Sequence, residues 1–186
     1  CKCDCGKIVS LDYVSLEPRI CLAVNKKSIP DDVYEDIMRE DLKGLARSKV
    51  KIAVMGSMFG ISADALQEKL GDEFSAQKCI DSIRMHFGID SLHRRLSAEL
   101  DKTGKILNFY GREITIPNGN THFCVPYYIQ STGVDVSILG FNSLMDDMIS
   151  RKMKSVPIFI LHDAIFLDVH PDENEEIESI LKEKIS

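Results

Sequence analysis

Two aspartates interrupt apolar, strand-like stretches near opposite ends of the sequence. Asp12 follows KIVSL, and Asp163 lies between VPIFIL and AIFLDV. Taken alone, Asp12 is typical of a helix cap or a turn, and Asp163 is typical of a hairpin turn. The two can meet if both stretches pair in one small sheet. Two carboxylates placed in this way can hold divalent cations such as Mg²⁺, which prefers oxygen ligands and promotes phosphoryl transfer.

A second pattern that could carry chemistry is RSKVKIAVMGSMFG. Arg47, Lys51, Met55 and Phe59 recur every four residues, so they share one face of a predicted helix. One interpretation is a solvated basic turn followed by core residues. The other is a nucleotide-binding surface, in which the two cations bind a triphosphate while the apolar residues contact base and sugar.

Both patterns depend on the elements that position them. Alternating apolar residues predict a strand over residues 7–11 that ends at Asp12, and two further strands over 156–161 and 164–169. Helical periodicity dominates the intervening sequence, and the helix that carries the basic stripe is predicted to run from Gly44 to Phe59. These elements predict an α+β fold, with a small antiparallel sheet drawn from both ends of the chain.

Composition and charge narrow the class of protein. The 186 residues are 44% hydrophobic and 28% charged, which excludes disordered and collagen-like chains. A net charge of -6 argues against a uniformly basic surface for nucleic acid. Residues 121–186 contain 5 basic and 11 acidic residues, so residues 1–120 contain 18 of each and can bind phosphate through local basic stripes. No apolar run approaches the roughly 20 residues that span a bilayer, so no membrane partner is expected.

Five histidines and the lack of a secretory signal favour a reducing, intracellular setting for the six cysteines. That setting is the cytoplasm or nucleoid, or the host cytoplasm for a viral protein. Cys1, Cys3 and Cys5 could supply thiolates to a metal, but no second cysteine pair completes a tetrahedral set, and a plain terminal strand is the alternative. The other three cysteines lie in apolar contexts and are predicted to be buried. Because the sequence starts with cysteine rather than methionine, we expect a fragment or a processed piece.

The motifs and their order resemble those of the family A, bacterial polymerase I-like, DNA polymerases. DYVSLEPR, from Asp12 to Arg19, is similar to motif A of that family, DYSxxELR. RSKVKIAVMGSMFG is similar to motif B, RxxxKxxxFGxxYG, and LHDAIFLDV is similar to motif C, which is VHDE followed by an apolar strand. YGREITIP and IQSTGVD, which lie between them, are similar to the GRRxxLP and QGxxAD segments of the family. These five segments follow the order of the family and cover nearly the whole chain.

The resemblance implies template-directed DNA synthesis by a two-metal-ion mechanism. A primer 3′-OH would attack the α-phosphate of a deoxynucleoside triphosphate, and pyrophosphate would leave. Asp12 and Asp163 match the catalytic carboxylates that bind two Mg²⁺ ions, for which Mn²⁺ can substitute. The backbone carbonyl of Tyr13 would join them as a metal ligand.

The resemblance also assigns a nucleotide-binding set. Arg47 and Lys51 match the cations that bind the triphosphate. Met55 stands where the family has an aromatic residue, and Phe59 stands where it usually has tyrosine near the template base and the sugar. Glu17 matches the acid that blocks a ribose 2′-OH and so favours deoxynucleotides.

Three further residues are implied to bind DNA. His162 would lie beside the primer terminus, and Gln130 would touch the minor groove of the duplex. Arg19 closes the motif A match and is predicted to contact DNA. The implied partners are therefore primer-template DNA and a deoxynucleoside triphosphate.

The resemblance implies a right-hand polymerase architecture without the thumb. Residues 1–24 would belong to the palm, 25–120 to the fingers, and 121–186 to the palm again. A thumb-bearing or exonuclease-bearing chain or upstream domain is then an expected partner. Two alternatives stay open: a non-catalytic or split-polymerase subunit that needs such a partner, and an enzyme similar to the single-subunit RNA polymerases.

Overall fold

The structure is a computed structural model that describes residues 6–185. The chain divides into two compact units. We name the first the sheet unit, which comprises Cys1–Leu16 and Gly133–Ser186. The second is the helical unit, which comprises Glu17–Thr132.

Eight α-helices and five β-strands form within the described residues. The helices are α1 (Leu16–Val24), α2 (Val33–Glu40), α3 (Arg47–Met58), α4 (Ala63–Leu70), α5 (Ala76–Phe87), α6 (Ile89–Thr103), α7 (Cys124–Ser150) and α8 (Asn174–Ile185). The strands are β1 (Lys7–Asp12), β2 (Ile106–Leu107), β3 (Glu113–Ile114), β4 (Val156–Leu161) and β5 (Ala164–Val169). Across residues 6–185, no helix is both long enough and apolar enough to cross a bilayer.

In the sheet unit, the three long strands form one antiparallel sheet in the order β1-β5-β4. Buried and half-buried residues alternate along β5, so one face of the sheet packs on the core while the other faces outward. Residues of α7 and α8 complete that core. Its buried members are Leu144, Met148, Ile165, Leu167, Val169, Ile177 and Ile180. The predicted α+β fold, with a sheet drawn from both ends of the chain, is confirmed.

In the helical unit, α1 to α6 surround a second apolar core. Its largest fully buried side chains include Leu22, Ile37, Met58, Leu66, Ile83, Phe87 and Leu92. β2 and β3 pair as a short antiparallel hairpin next to these helices in sequence. The unit is therefore held together mainly by helix packing, as the helical periodicity predicts.

The predicted start of the stripe-bearing helix is wrong by three residues. The prediction placed it at Gly44, but α3 begins at Arg47. Gly44 has φ +93°, a conformation that an α-helix does not use, and Ala46 is extended. The basic stripe therefore begins in the first turn of the helix rather than in its second.

The cysteine predictions have two outcomes. Three of them are buried in the helical unit, as predicted: Cys21, Cys79 and Cys124. Burial raises the pKa of the Cys21 thiol to about 12, so this side chain stays protonated and behaves as a small apolar group. The alternatives for Cys1, Cys3 and Cys5, a metal site or a strand, lie outside the described residues.

A half-buried hydrogen-bond cluster joins the start of β4 to the end of β5. The Glu173 carboxylate accepts hydrogen bonds from the Lys154 and Ser155 N–H groups at 2.7 and 2.8 Å, and from Ser155 Oγ at 2.6 Å. Ser155 Oγ accepts in turn from the His170 N–H at 2.9 Å. Burial alone would raise the pKa of Glu173, but these donors outweigh it and hold the pKa below its ordinary value of 4.5.

We expect Glu173→Gln to lower the free energy of unfolding by about 1–3 kcal/mol at neutral pH, because an amide cannot accept all of these hydrogen bonds. Because the pKa of Glu173 is lowered in the folded state, its ionised carboxylate contributes fully to the stability of the fold above pH 4.5. That contribution is lost as the pH falls through the folded-state pKa. Denaturant unfolding at pH 7 and near pH 3 should therefore show the difference from the parent shrinking at the lower pH. Glu175→Gln, at an exposed position, is the control. A difference that does not change with pH contradicts this assignment.

Candidate active site

The sheet unit brings the two predicted catalytic aspartates to the same end of neighbouring strands. Asp12 is the last residue of β1 and lies directly opposite Ala164, the first residue of β5. The Tyr13 N–H donates a hydrogen bond to the Asp163 carbonyl oxygen at 3.5 Å. Since opposed residues of antiparallel strands have Cα atoms about 4.5–5.5 Å apart, the backbones of Asp12 and Asp163 are near neighbours.

Both aspartates can be reached from solvent. Asp12 is exposed on the outward face of the sheet, and Asp163 is half-buried in the turn between β4 and β5. The turn reverses tightly because His162 adopts the left-handed conformation, with φ +56°. The predicted hairpin turn at His162 and Asp163 is confirmed, and a cation or a phosphate can approach it from solution.

Tyr13 anchors the backbone next to Asp12. Its side chain packs against the core of the sheet unit. It lies so close to α7 that a Cβ added to Gly140 would stand 2.0 Å from the tyrosine hydroxyl oxygen. Gly140 is therefore the residue that leaves room for the ring. Sequence reasoning missed Gly140, because a contact between Tyr13 and a helix residue more than 120 positions later leaves no local pattern.

The donor set at the strand ends suits a hard divalent cation. It offers the carboxylates of Asp12 and Asp163 and the backbone carbonyl of Tyr13, and all of these donors are oxygen. Within residues 6–185, no three or more His, Cys, Asp or Glu side chains gather as a metal cluster. A cation held here would therefore keep several positions for water or for phosphate oxygens, as Mg²⁺ commonly does.

α3 exposes the predicted stripe and buries residues away from it, as the four-residue spacing requires. Arg47 and Lys51 are exposed, Met55 is half-buried, and Phe59 caps the helix with 38% of its surface exposed. The residues that should pack inward are buried: Val50, Ala53 and Val54. Ala46 gives no side-chain cap, so the positive end of the helix dipole lies beside the two cations and favours an anion there.

Arg47 is held by two residues that sequence reasoning missed. Its Nη2 donates to Asp32 Oδ2 at 2.7 Å, and its guanidinium lies 5.3 Å from the centre of the Tyr34 ring. The other carboxylate oxygen of Asp32 caps α2 by accepting from the Tyr34 and Glu35 N–H groups. The hydrogen bond from Arg47 is the main reason that the pKa of Asp32 is lowered. No local signal links Asp32 to a residue 15 positions later.

The remaining predicted residues also lie in the helical unit. Glu17 is half-buried in the first turn of α1. Arg19 Nη2 donates to the Asp31 carbonyl oxygen at 2.6 Å. Gln130 is exposed on α7. The predicted residues thus form two groups, with the two aspartates, Tyr13 and His162 in the sheet unit and the others in the helical unit.

Two relatives are DNA polymerases of mycobacteriophages. The chain is 26% identical over 137 residues to the DNA polymerase of Mycobacterium phage L5. This match covers 70% of this chain and 23% of the phage protein. It is 24% identical over 153 residues to the DNA polymerase of Mycobacterium phage D29, which covers 72% of this chain and 25% of that protein. The chain thus spans about a quarter of the length of these relatives.

A solved structure shares the fold. It is the POL domain of Pol1 from M. smegmatis in complex with DNA primer-template and dNTP. The match has a TM-score of 0.76 at 16% identity, and it covers 98% of this chain and 37% of the other. The family model for DNA polymerase family A matches residues 4–186, almost the entire sequence. The chain therefore belongs to DNA polymerase family A.

Proposed function

We propose that this chain carries out template-directed DNA synthesis, transferring a nucleotide from a deoxynucleoside triphosphate to a primer 3′-OH. The observation that carries the proposal is the backbone pairing of Tyr13 with Asp163, which places Asp12 and Asp163 side by side. Family membership and the shared polymerase fold support it.

Asp12 and Asp163 are the proposed metal ligands and catalytic residues, joined by the carbonyl of Tyr13. When bound, two Mg²⁺ ions, or Mn²⁺ in their place, neutralise developing charge on the reacting oxygens and orient them. The contribution of the protein is to hold two carboxylates on a rigid sheet end. Hydrogen-bonded strands fix positions more firmly than a free loop does.

The triphosphate is proposed to bind to Arg47 and Lys51 at the electropositive start of α3. The exposed ring of Phe59 and the half-buried Met55 would lie against base and sugar, since both are on the same helix face as the cations. Glu17 is the proposed acid that excludes a ribose 2′-OH. These roles apply the nucleotide-binding interpretation to the predicted stripe. The alternative interpretation, a solvated basic turn, also predicts that Arg47 and Lys51 are exposed.

The DNA contacts are proposed for His162 in the turn, Gln130 on α7 and Arg19 on α1. All three keep polar atoms at or near the surface. The predicted palm and fingers boundaries, residues 1–24 and 121–186 for the palm and 25–120 for the fingers, remain a proposal. The compact units divide the chain at somewhat different positions, 16/17 and 132/133.

Primer extension tests the proposal. The full chain, at low salt because phosphate contacts weaken with salt, is incubated with primer-template DNA, Mg²⁺ and either dNTPs or rNTPs. Templated addition with dNTPs supports the proposal. A preference for rNTPs would favour the RNA polymerase alternative, and gel-shift binding of primer-template without any addition would favour a non-catalytic or split subunit.

We expect Asp32→Asn to lower the KM for dNTP about two- to fivefold, because the Asp32 carboxylate competes with a triphosphate for Arg47 in a largely exposed ion pair. Asparagine caps a helix as well as aspartate does, so α2 should keep its stability. Steady-state kinetics at low and high salt measure the effect, which should shrink as salt screens the pair. Asp31→Asn removes the same charge one residue away and is the control. An unchanged or higher KM contradicts the prediction.

A further inference from the structure

The hairpin of β2 and β3 presents two aromatic rings to solvent. Phe109 is 62% exposed and Tyr110 is 49% exposed, and their rings meet edge to face with centroids 5.3 Å apart. Leu107, the last residue of β2, is also exposed. Exposed aromatic side chains lose favourable burial energy unless something covers them, so rings held outward on a rigid support indicate a binding surface.

The support for these rings is one buried asparagine. Asn108 is only 4% exposed, and its Oδ1 accepts hydrogen bonds from the Tyr110 and Arg112 N–H groups at 3.0 and 2.8 Å. Its backbone closes the turn by accepting from the Gly111 N–H at 3.0 Å and donating to the Arg112 carbonyl oxygen at 2.9 Å. Gly111 has φ +84°, which the sharp reversal requires. The loop is therefore fixed before any ligand arrives.

The same hairpin is fastened to α7 immediately after Gln130. Asn108 Nδ2 donates to Ser131 Oγ at 3.0 Å, and Arg112 Nη2 donates to the Ser131 carbonyl oxygen at 2.8 Å. The Phe109 N–H donates to Thr132 Oγ1 at 3.4 Å. The hairpin is thus held at the two residues that follow Gln130, a proposed DNA contact that is exposed on α7.

Two more rings lie at the start of α7 and just before it. Phe123 is 40% exposed, and its ring lies 5.6 Å from the ring of Tyr127. Tyr127 precedes Ser131 by one helical turn, so it is on the same face of α7 as the residue to which the hairpin is fastened. Aromatic side chains therefore occur both on the hairpin and on the adjoining helix.

A cation lies close in sequence to the two rings, although the chain as a whole is acidic. Between residues 105 and 131 the sequence contains two cations, Lys105 and Arg112, and one acid, Glu113. Lys105 forms an ion pair with Glu113, which neutralises the acid. An acid of α6, Glu99, also contacts β2, so the hairpin is close to neutral, and Arg112 is the cation next to the two rings in sequence.

We propose that Phe109 and Tyr110 form a stacking surface for unpaired bases of a DNA strand, the single-stranded template ahead of the duplex. The proposal rests on the proposed function, because it assumes that primer-template DNA binds on the side of Gln130. Flat rings stack on any base without reading its sequence, and Arg112 supplies a cation for the phosphates. A loop ordered in advance loses little conformational freedom on binding.

Fluorescence anisotropy with three DNA probes tests the proposal at low salt. The probes share one duplex and differ in their 5′ extension: none, eight nucleotides, or eight abasic nucleotides. For the parent chain, the extension with bases should tighten binding relative to the blunt duplex, and the abasic extension should give less of that gain. Phe109→Ala and Tyr110→Ala should each weaken binding of the probe with unpaired bases about 5- to 150-fold, the loss expected for one stacked base. Binding of the blunt duplex should be unchanged.

Conservative variants and a control sharpen the result. Phe109→Tyr and Tyr110→Phe keep a ring and should keep the gain. Met85→Ala truncates an apolar side chain that is 68% exposed on α5 and should leave all three affinities unchanged. The proposal is overturned if Phe109→Ala weakens the binding of all three probes equally, or if it weakens the binding of none of them. It is also overturned if the only effect of Phe109→Ala is to abolish self-association of the chain, measured by sedimentation.

The design separates this proposal from the proposed function. Asp12→Ala should lose primer extension, as the proposed chemistry requires, and should still bind the extended probe as the parent does. A chain that extends primers but gains nothing from the unpaired bases contradicts the stacking surface alone. A chain that gains from the bases but never adds a nucleotide contradicts the proposed chemistry alone.

Discussion

Replacing Asp12 or Asp163 by alanine is expected to abolish primer extension while leaving the fold intact. Each residue supplies a carboxylate that the proposed two-metal chemistry needs, and loss of several kcal/mol of charge stabilisation corresponds to about 10³-fold or more in rate. The fold should survive because Asp12 is exposed at the end of a strand and Asp163 lies in a turn. Single-turnover extension measures the rate, and circular dichroism with thermal unfolding checks the fold.

The control for these variants is Asp146→Ala. Asp146 is an exposed acid on α7 in the same unit, so its replacement changes the net charge equally without touching the strand ends. Its rate should match that of the parent. If Asp12→Ala or Asp163→Ala extended a primer at the parental rate, the assignment of both carboxylates would be wrong.

Gly140→Ala is expected to lower both stability and activity. Alanine is normally favoured over glycine in a helix by about 1 kcal/mol, so the substitution would stabilise α7 if there were room for the Cβ. Here the Cβ would lie 2.0 Å from the Tyr13 hydroxyl oxygen and 3.3 Å from Cζ, so the ring must move. Since Tyr13 also packs on the core, we expect a net loss of about 1–3 kcal/mol. A displaced Tyr13 shifts the adjoining Asp12, and a misplacement of about 1 Å can cost about 100-fold in rate.

A double variant tests whether Tyr13 transmits this effect. Tyr13→Phe removes the hydroxyl oxygen that the new Cβ would meet first, so combining it with Gly140→Ala should restore most of the lost stability and rate. Asn142→Ala, exposed on the same helix, is the control for an added alanine. Equal losses in the single and double variants would show that the clash with Tyr13 is not the cause. Urea unfolding and single-turnover extension measure the two effects.

The sequence predicts the parts of the site that depend on local periodicity. KIVSL, VPIFIL and AIFLDV alternate or run apolar, and they form β1, β4 and β5 with Asp12 and Asp163 at their ends. The four-residue spacing of the basic stripe likewise places Arg47 and Lys51 on the exposed face of α3. Backbone period and burial decide these features, and both can be read from neighbouring residues.

Contacts between distant residues are not predictable in this way. The pairing of Asp32 with Arg47 and the fit of Tyr13 against Gly140 arise from tertiary packing. Asn108 illustrates the same limit, because a short polar residue before a glycine indicates only a turn. Its burial and its hydrogen bond to Ser131 depend on where α7 runs, and no local pattern reports that.

The helix start at Arg47 shows how a local rule can mislead. Helical periodicity extends back to Gly44, but the positive φ of that glycine ends any regular helix there. Leu45 is buried in the helical core, which explains why the apolar pattern continues past the true helix start. Burial outside a helix can therefore imitate helical periodicity.

The binding of Mn²⁺ to the parent chain and to Asp12→Ala, Asp163→Ala and the double variant, followed by electron paramagnetic resonance, tests the central claim most directly. If both carboxylates hold the same cations, either single substitution should remove most of the binding, and the double variant should lose little more. If the two losses instead multiply as independent effects, or if neither substitution weakens binding, the two aspartates do not share a metal site.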